Sequence, residues 1–123
     1  INMSSVAGRM GYPMRTPYAA SKWAVVGLTQ SLAVELGQDD ITVNAILPGI
    51  VDSERSRKVT AAKASMRQIS HEQMQTEILA NVALHRMVPI HDVAAMALFL
   101  ASSAGRSMTG QSLNVCAGIQ SLR

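Results

Sequence analysis

Apolar positions along the chain recur with two different spacings, and these predict an alternation of helices and short strands. Residues 1–4 have the pattern of a strand end, and residues 41–47 form a β-branched run between turn signals, which is typical of a central parallel strand. Residues 112–116 form a third run of strand length. The segments 18–36 and 92–103 have helical spacing. Helices that alternate with short apolar strands predict a parallel α/β sheet.

The helix predicted over residues 18–36 has clear signals at both ends. Thr16 offers a capping hydroxyl before Pro17 at the first helical position, and Gly37 is a natural stop. The helix is apolar nearly all round, so we expect burial on more than one side. Gly27 costs about 1 kcal/mol against alanine in a helix interior, which predicts a close packing contact there.

Residues 54–84 are polar, rich in methionine and helix-prone, and we expect two short helices there. The net charge of +3 is concentrated in this segment, since five of the eleven basic residues fall within thirteen positions: Arg55, Arg57, Lys58, Lys63 and Arg67. The segment has no aromatic residue for base stacking and no nucleic-acid motif. A solvated helix face is therefore favoured over a nucleic-acid partner.

Length and composition set the class of protein. The 123 residues suit one small domain, and aromatics are only 3%, so aliphatic side chains and methionine must fill the core. The uncharged stretch 23–34 is too short for a membrane span of about 20 residues, and no secretory signal is visible. Cys116 is alone, which suits a reducing compartment. We expect a soluble cytoplasmic protein without a membrane partner.

Tyr18, Lys22 and Ser5 carry the candidate chemistry. Four residues make about one helical turn, so Tyr18 and Lys22 share a helix face. A lysine ammonium near a phenol favours the phenolate, which makes Tyr18 a candidate general acid/base. Ser5 follows a short strand and is placed to donate to the same substrate oxygen. An isolated Tyr-x-x-x-Lys pair is more often an exposed helical turn, but the serine and the flanking segments favour the catalytic interpretation.

Four blocks of sequence resemble the short-chain dehydrogenase/reductase family. They occur in the family's order from residue 1 to about residue 115: INMSSVAG, YAASKWAVVGLTQSLAVEL, ITVNAILPGIVDS and MTGQSLNV. The resemblance implies a Rossmann-type doubly wound parallel sheet, of which this chain is the C-terminal half, with about three strands and their flanking helices. It also implies catalytic roles for Ser5, Tyr18 and Lys22 and a nicotinamide cofactor, NAD or NADP.

The resemblance further implies where that cofactor is held. In the family, the backbone after the central strand meets the carboxamide, a hydroxyl three residues later meets the cofactor, and the catalytic lysine contacts the ribose. Ser53 stands here where threonine is usual. The implied cofactor contacts are Tyr18, Lys22, Pro48, Gly49, Ile50 and Ser53.

The glycine-rich turn that seats a dinucleotide pyrophosphate is missing from the sequence. We therefore expect residues 1–123 to be the C-terminal part of a single domain whose N-terminal, cofactor-binding half lies outside this sequence. The residue that reads the ribose belongs to that half, so NAD and NADP are not distinguished. An alternative is a non-catalytic, truncated family member that acts as an assembly or regulatory subunit.

The resemblance also implies partners. Residues 54–84 correspond to the family's substrate lid, whose basic residues and His71 are placed to meet an anionic alcohol or carbonyl substrate. Solvated lid helices are the alternative for each of these residues. A homodimer or homotetramer built partly on helix 18–36 is implied as well. The histidines lack the spacing or the partner ligands of a metal site, and we predict none.

One departure from the family pattern lies near the C-terminus. After Leu113-Asn114-Val115 the family usually continues with aspartate and a pair of glycines, whereas this chain has Cys116-Ala117-Gly118. The aspartate-glycine pair tends to fix the C-terminal turn. Its replacement leaves the conformation of the tail open.

Overall fold

A computed structural model describes residues 1–119. The strands are β1 (Asn2–Met3), β2 (Ala45–Pro48) and β3 (Ser112–Val115). The α-helices are α1 (Thr16–Leu36), α2 (Glu54–Arg67), α3 (His71–Leu79) and α4 (Ile90–Ala101). One-turn 3₁₀ helices cover Val6–Gly8, Gly37–Asp39 and Ser103–Gly105. The predicted order of strands and helices is confirmed, including the two short helices between residues 54 and 84.

The three strands form a parallel sheet in the order β1-β2-β3. Ala45, Ile46 and Leu47 in the middle strand are completely buried, which accounts for the apolar run in the sequence. The strand starts later than predicted. Asn44 uses its side chain to accept from the Gln111 N–H at 3.0 Å and to donate to a backbone carbonyl, and the Gly110 N–H donates to the Val43 carbonyl at 2.7 Å. The residues before Ala45 are therefore bonded to the segment that precedes β3.

The predicted cap at the start of α1 is wrong, whereas the predicted end of the helix at Leu36, with Gly37 as the C-cap, is confirmed. The N-cap is Arg15, which makes no side-chain capping bond, and Thr16 is already helical. Proline is nevertheless in the first turn, where its missing N–H costs nothing. Gly37 keeps a right-handed φ of −61°, and the chain continues into a 3₁₀ turn until Asp40 takes the left-handed conformation at φ 58°. Aspartate tolerates that conformation better than most residues do.

Within this chain α1 is buried on one side only. Val26, Thr29 and Ala33 face the sheet, spaced as one helical stripe. The opposite side is exposed, with Leu28 at 53% and Val34 at 84%. A Cβ added at Gly27 would meet nothing within 4 Å, so the predicted close contact is not made by any residue that the structure describes.

The segment that contains α2 and α3 is closed by a backbone bridge between its two ends. Val51 and Val88 form an isolated parallel bridge, in which the Val88 N–H donates to the Ile50 carbonyl at 2.8 Å. Each helix begins with a reciprocal capping box, around Ser53 and Ser70 respectively. The predicted lid is therefore an ordered helical pair that leaves and rejoins the sheet region at neighbouring points.

The tail after β3 turns back onto the end of the lid. The carbonyls of Ala117 and Gly118 accept the N–H groups of Leu84 and Ala83 at 3.0 and 2.8 Å. Ala117 adopts φ 52°, a left-handed conformation that costs a residue with a Cβ about 1–2 kcal/mol. The turn thus forms without the family's aspartate-glycine pair, but with an alanine where glycine would be unstrained. Among residues 1–119, no helix is long and apolar enough to cross a membrane.

Candidate active site

Ser5 is held at the point where β1 ends. It caps the 3₁₀ turn that follows, because its Oγ accepts the Ala7 N–H at 3.2 Å while its backbone is extended. The residue is only 9% exposed, yet it lines a cleft on the protein surface. A hydroxyl that accepts from the backbone still has its own proton to donate. The Ser5 hydroxyl is therefore held at the cleft by its bond to Ala7 and keeps a proton that it can donate.

Tyr18 lies in the first turn of α1 and lines the same cleft. Its ring packs edge-on against Tyr12, with centroids 6.2 Å apart and an interplanar angle of 61°. The side chain remains 37% exposed. The phenol is thus oriented by ring packing, and its hydroxyl makes no hydrogen bond to the residues that the structure describes.

Lys22 lies one turn after Tyr18 and is tied to β1. Its Nζ is 5.7 Å from the centroid of the Tyr18 ring and donates to the Met3 carbonyl at 3.2 Å. The two side chains therefore share a helix face, as the four-residue spacing requires. The strand holds the ammonium beside the phenol.

Two small residues that the sequence analysis did not single out join α1 to the Ser5 loop. Ser4 is buried, and its Oγ donates to the Lys22 carbonyl at 2.8 Å. A Cβ added at Gly8 would lie 2.7 Å from both that carbonyl oxygen and the Ser4 Oγ. Only glycine allows this approach. In the sequence both residues look like ordinary turn positions, and no local pattern marks them.

This close approach predicts that Gly8→Ala misplaces the site. The added methyl group must push α1 and the Ser5 loop apart, and overpacking of this kind costs about 1–3 kcal/mol. Denaturant unfolding should show the loss of stability as a lower midpoint. Gly11→Ala is the matched control, since a Cβ at Gly11 meets nothing within 4 Å. Equal stability of the two variants would contradict this account.

The carboxyl end of β2 forms the other wall. The Gly49 N–H donates to the Val115 carbonyl at 2.9 Å, and a Cβ at Gly49 would lie 2.8 Å from the Cys116 Cα, so glycine permits the close approach of the two strand ends. Ile50 follows, with its carbonyl already held by Val88. Ser53 caps α2, because its Oγ accepts the Ser56 N–H at 3.2 Å.

The cleft has a volume of about 450 Å³, within the range of about 300–1,000 Å³ usual for small-molecule sites. It brings together five of the predicted site residues: Ser5, Tyr18, Gly49, Ile50 and Ser53. Pro48 and Lys22 do not line it. Pro48 is held in the sheet opposite Val115, and Lys22 lies behind Tyr18 against β1.

Fewer of the basic residues of the lid line the cleft than the sequence suggested. His71 begins α3 and does not line the cleft. Of the five basic residues of α2, only Arg55 and Lys63 line it. Among residues 1–119, no three His, Cys, Asp or Glu side chains are grouped so that they could hold a metal ion.

The parallel sheet, its flanking helices and the cleft at its carboxyl edge define a Rossmann-type α/β protein. A family model described as enoyl-(acyl carrier protein) reductase matches residues 1–120. The chain belongs to the short-chain dehydrogenase/reductase family.

Similar proteins include ketoreductases and a dehydrogenase. The protein of Streptomyces violaceoruber named as ketoacyl reductase 1 of granaticin polyketide synthase is 40% identical over 119 residues, which cover 97% of this chain and 44% of that protein. The crystal structure of an actinorhodin polyketide ketoreductase variant with NADPH is 36% identical, with a TM-score of 0.89, over 96% of this chain and 45% of that one. A 4-hydroxyisoleucine dehydrogenase complexed with NADH is 31% identical, with a TM-score of 0.84, over 97% and 45%. The chain thus spans less than half the length of each.

Proposed function

We propose that residues 1–123 form the C-terminal part of an NAD(P)-dependent oxidoreductase that interconverts an alcohol and a ketone or aldehyde. The observation that carries this proposal is the meeting of Ser5 and Tyr18 in one cleft, with the Lys22 ammonium 5.7 Å from the Tyr18 ring. Family membership supports the reaction class, and the relatives with bound NADPH and NADH support the cofactor.

The cleft residues suit the nicotinamide end of that cofactor. Gly49 and Ile50 present backbone whose position is fixed by bonds to Val115 and Val88, and Ser53 adds a hydroxyl beside them. The volume of about 450 Å³ accommodates such a ring together with a small substrate. When bound, the cofactor supplies or accepts the hydride at the carbinol carbon.

Tyr18, Ser5 and Lys22 carry out proton transfer and stabilise the substrate oxygen. In the reductive direction, the Tyr18 hydroxyl gives its proton to the substrate oxygen. Ser5 donates a hydrogen bond to the same oxygen and holds it in place. Lys22 offsets the negative charge that is left on the Tyr18 oxygen, and its ammonium would contact the nicotinamide ribose of a bound cofactor. In the oxidative direction the same proton returns to Tyr18.

The open edge of β1 supports the proposal that an N-terminal half precedes these residues. The N–H groups of Asn2 and Ser4 donate to the β2 side, so the N–H and carbonyl of Met3 between them face the other side of the strand, where only the carbonyl has a described partner, the Lys22 ammonium. Ile1 and Met3 are 55% and 49% exposed. Proteins usually pair or cover such an edge. A preceding strand of the same domain is the partner that we propose.

Oxidation of NAD(P)H by the full-length protein with a panel of ketones tests the proposed function. We expect consumption of one of the two cofactors, together with an equal amount of alcohol. A nicotinamide fluorescence titration should show binding to the full-length protein and none to residues 1–123 alone, since the pyrophosphate seat is absent from this sequence. A full-length protein that binds neither cofactor would favour the assembly or regulatory subunit.

We also propose that the exposed side of α1 packs against a second subunit. Most of the exposed residues on the sides of α1 away from the sheet are apolar or small: Ala20, Trp23, Ala24, Gly27, Leu28 and Val34. Gln30 and Glu35 are the polar exceptions. Aspartate at Leu28 would place a charge in that contact, so Leu28→Asp is expected to lower the mass of the full-length protein in light scattering to that of a smaller assembly. Met66→Asp, on the exposed surface of α2, should leave the mass unchanged. A wild-type monomer would refute the contact.

A further inference from the structure

Two of the five basic residues of α2 line the cleft, and the other three do not. Arg55 and Lys63 line the cleft together with Val59 between them. The spacing of four residues places these three side chains along one face. The helix therefore presents two cations to the cleft, one near each end of the stripe.

The other three cations of α2 lie outside the cleft and are already neutralised. Each has a carboxylate partner: Arg57 with Asp52, Lys58 with Glu54 at 2.7 Å, and Arg67 with Glu77. Arg55 and Lys63 make no ion pair or side-chain hydrogen bond with any residue that the structure describes. Pairing within the fold thus accounts for the outer cations but not for those in the cleft.

A third cation, Arg15, also lines the cleft from the α1 side, and no Asp or Glu is among the lining residues between 1 and 119. Three like charges around one cleft repel each other unless an anion enters. A cleft lined by one sign of charge also raises the local concentration of oppositely charged ligands. These cations line the same cavity as Ser5 and Tyr18, so an anion that they bind lies in the cavity where the substrate oxygen reacts.

We propose that the substrate is an alcohol or carbonyl compound that carries a carboxylate or phosphate group, and that Arg55 and Lys63 bind this group. Arg15 adds attraction from the opposite wall. This inference rests on the proposed function, since it assigns the substrate class of the same site. Val59, between the two cations, leaves an apolar contact for the carbon chain that joins the anion to the carbonyl.

Matched pairs of ketones test the proposal in the full-length enzyme. Acetoacetate differs from methyl acetoacetate by one negative charge, and dihydroxyacetone phosphate differs from dihydroxyacetone by its phosphate. We expect the wild type to prefer an anion over its neutral partner in kcat/KM. Arg55→Gln/Lys63→Gln should lower kcat/KM for that anion by about tenfold to a hundredfold, the usual scale for a hydrogen bond to a charged group. The value for the neutral partner should stay within about twofold.

The control removes one arginine charge and one lysine charge from other positions of the same helix. Arg57→Gln/Lys58→Gln makes identical substitutions at exposed residues outside the cleft, so net charge and helix chemistry change equally. We expect it to leave the anion preference in place. Preference for the carboxylate over the phosphate, or the reverse, identifies which oxyanion the cleft accepts.

The phosphates of the cofactor are the competing source of negative charge. We expect the KM of the preferred cofactor to be unchanged in Arg55→Gln/Lys63→Gln. A rise in that KM with no change in anion preference would overturn the proposal, and so would equal loss of activity on anionic and neutral ketones. If neither member of a pair is reduced, calorimetric binding in the presence of the oxidised cofactor decides. Failure of both anions to bind at millimolar concentration would also overturn it.

Failure of this inference is distinguishable from failure of the proposed function. An enzyme that reduces neutral ketones but ignores the added charge would remain an oxidoreductase without the anion site. A protein that binds acetoacetate through Arg55 and Lys63 but oxidises no NAD(P)H would retain the anion site and lose the proposed function.

Discussion

Replacing Tyr18 by phenylalanine is expected to lower the turnover of the full-length enzyme by about two to four orders of magnitude, the usual contribution of a positioned general acid/base. The phenyl ring keeps the edge-on packing against Tyr12, so the cleft should retain its shape. Only the proton donor is lost. Cofactor affinity should barely change, because the phenol contributes mainly to proton transfer. Steady-state kinetics together with a nicotinamide fluorescence titration measure both quantities.

Tyr12→Phe is the matched control for this change. It removes the same hydroxyl from a ring 6.2 Å away in the same cleft. Its effect on turnover should be far smaller, since Tyr12 contributes ring packing and has no neighbouring ammonium. Turnover of Tyr18→Phe within a factor of a few of wild type would remove Tyr18 from the mechanism.

Replacing Lys22 by methionine is expected to impair two steps at once. The structure holds the ammonium between the Tyr18 ring and the Met3 carbonyl, and methionine keeps much of the side-chain volume without the charge. Turnover should fall by about one to two orders of magnitude, the scale of one lost charged interaction. Cofactor affinity should fall as well, because the same ammonium serves the ribose. This combination separates Lys22 from Tyr18, whose loss should affect turnover alone.

Lys58→Met is the control, since it removes one ammonium from an exposed pair with Glu54, a kind of pair that contributes little to stability. It should affect neither turnover nor cofactor affinity. If Lys22→Met lowered only the thermal stability and left both kinetic quantities unchanged, the lysine would be a structural link between α1 and β1. The electrostatic role would then be wrong.

The sequence was sufficient for the order of elements and for the pairing of Tyr18 with Lys22, because both depend on local periodicity. A spacing of four on a helix places side chains on one face whatever the rest of the fold does. The β-branched run of residues 41–47 likewise predicts a buried strand, and its last three residues lie in β2 and are fully buried. These are short-range consequences of the chain itself.

Contacts between segments that are distant in the sequence could not be predicted from local sequence patterns. The approach of Gly8 to the Lys22 carbonyl joins a loop to a helix, and neither residue reveals the other in the sequence. The same limit applies to Gly27, where a local propensity argument predicted a contact that no residue between 1 and 119 makes. Helix propensity gives the free-energy cost of a glycine in a helix, but the tertiary packing determines which contacts offset that cost.

The basic residues of α2 illustrate the same limit for charge. Their clustering was evident in the sequence, and a solvated face was the natural interpretation for each of them. Only the structure divides them into three that are paired with carboxylates and two that line the cleft. The orientation of the helix, set by its packing on α3 and by the cap at Ser53, determines that division.

Deuterium transfer tests the central claim most directly. The full-length enzyme is given a reduced nicotinamide cofactor that carries deuterium at both hydrogen positions of the reactive ring carbon, together with a ketone that it reduces. The account predicts that the alcohol carries deuterium on its carbinol carbon, and that Tyr18→Phe forms the same labelled product far more slowly. An alcohol without deuterium, or no oxidation of either labelled cofactor by any ketone, would contradict hydride transfer in this cleft.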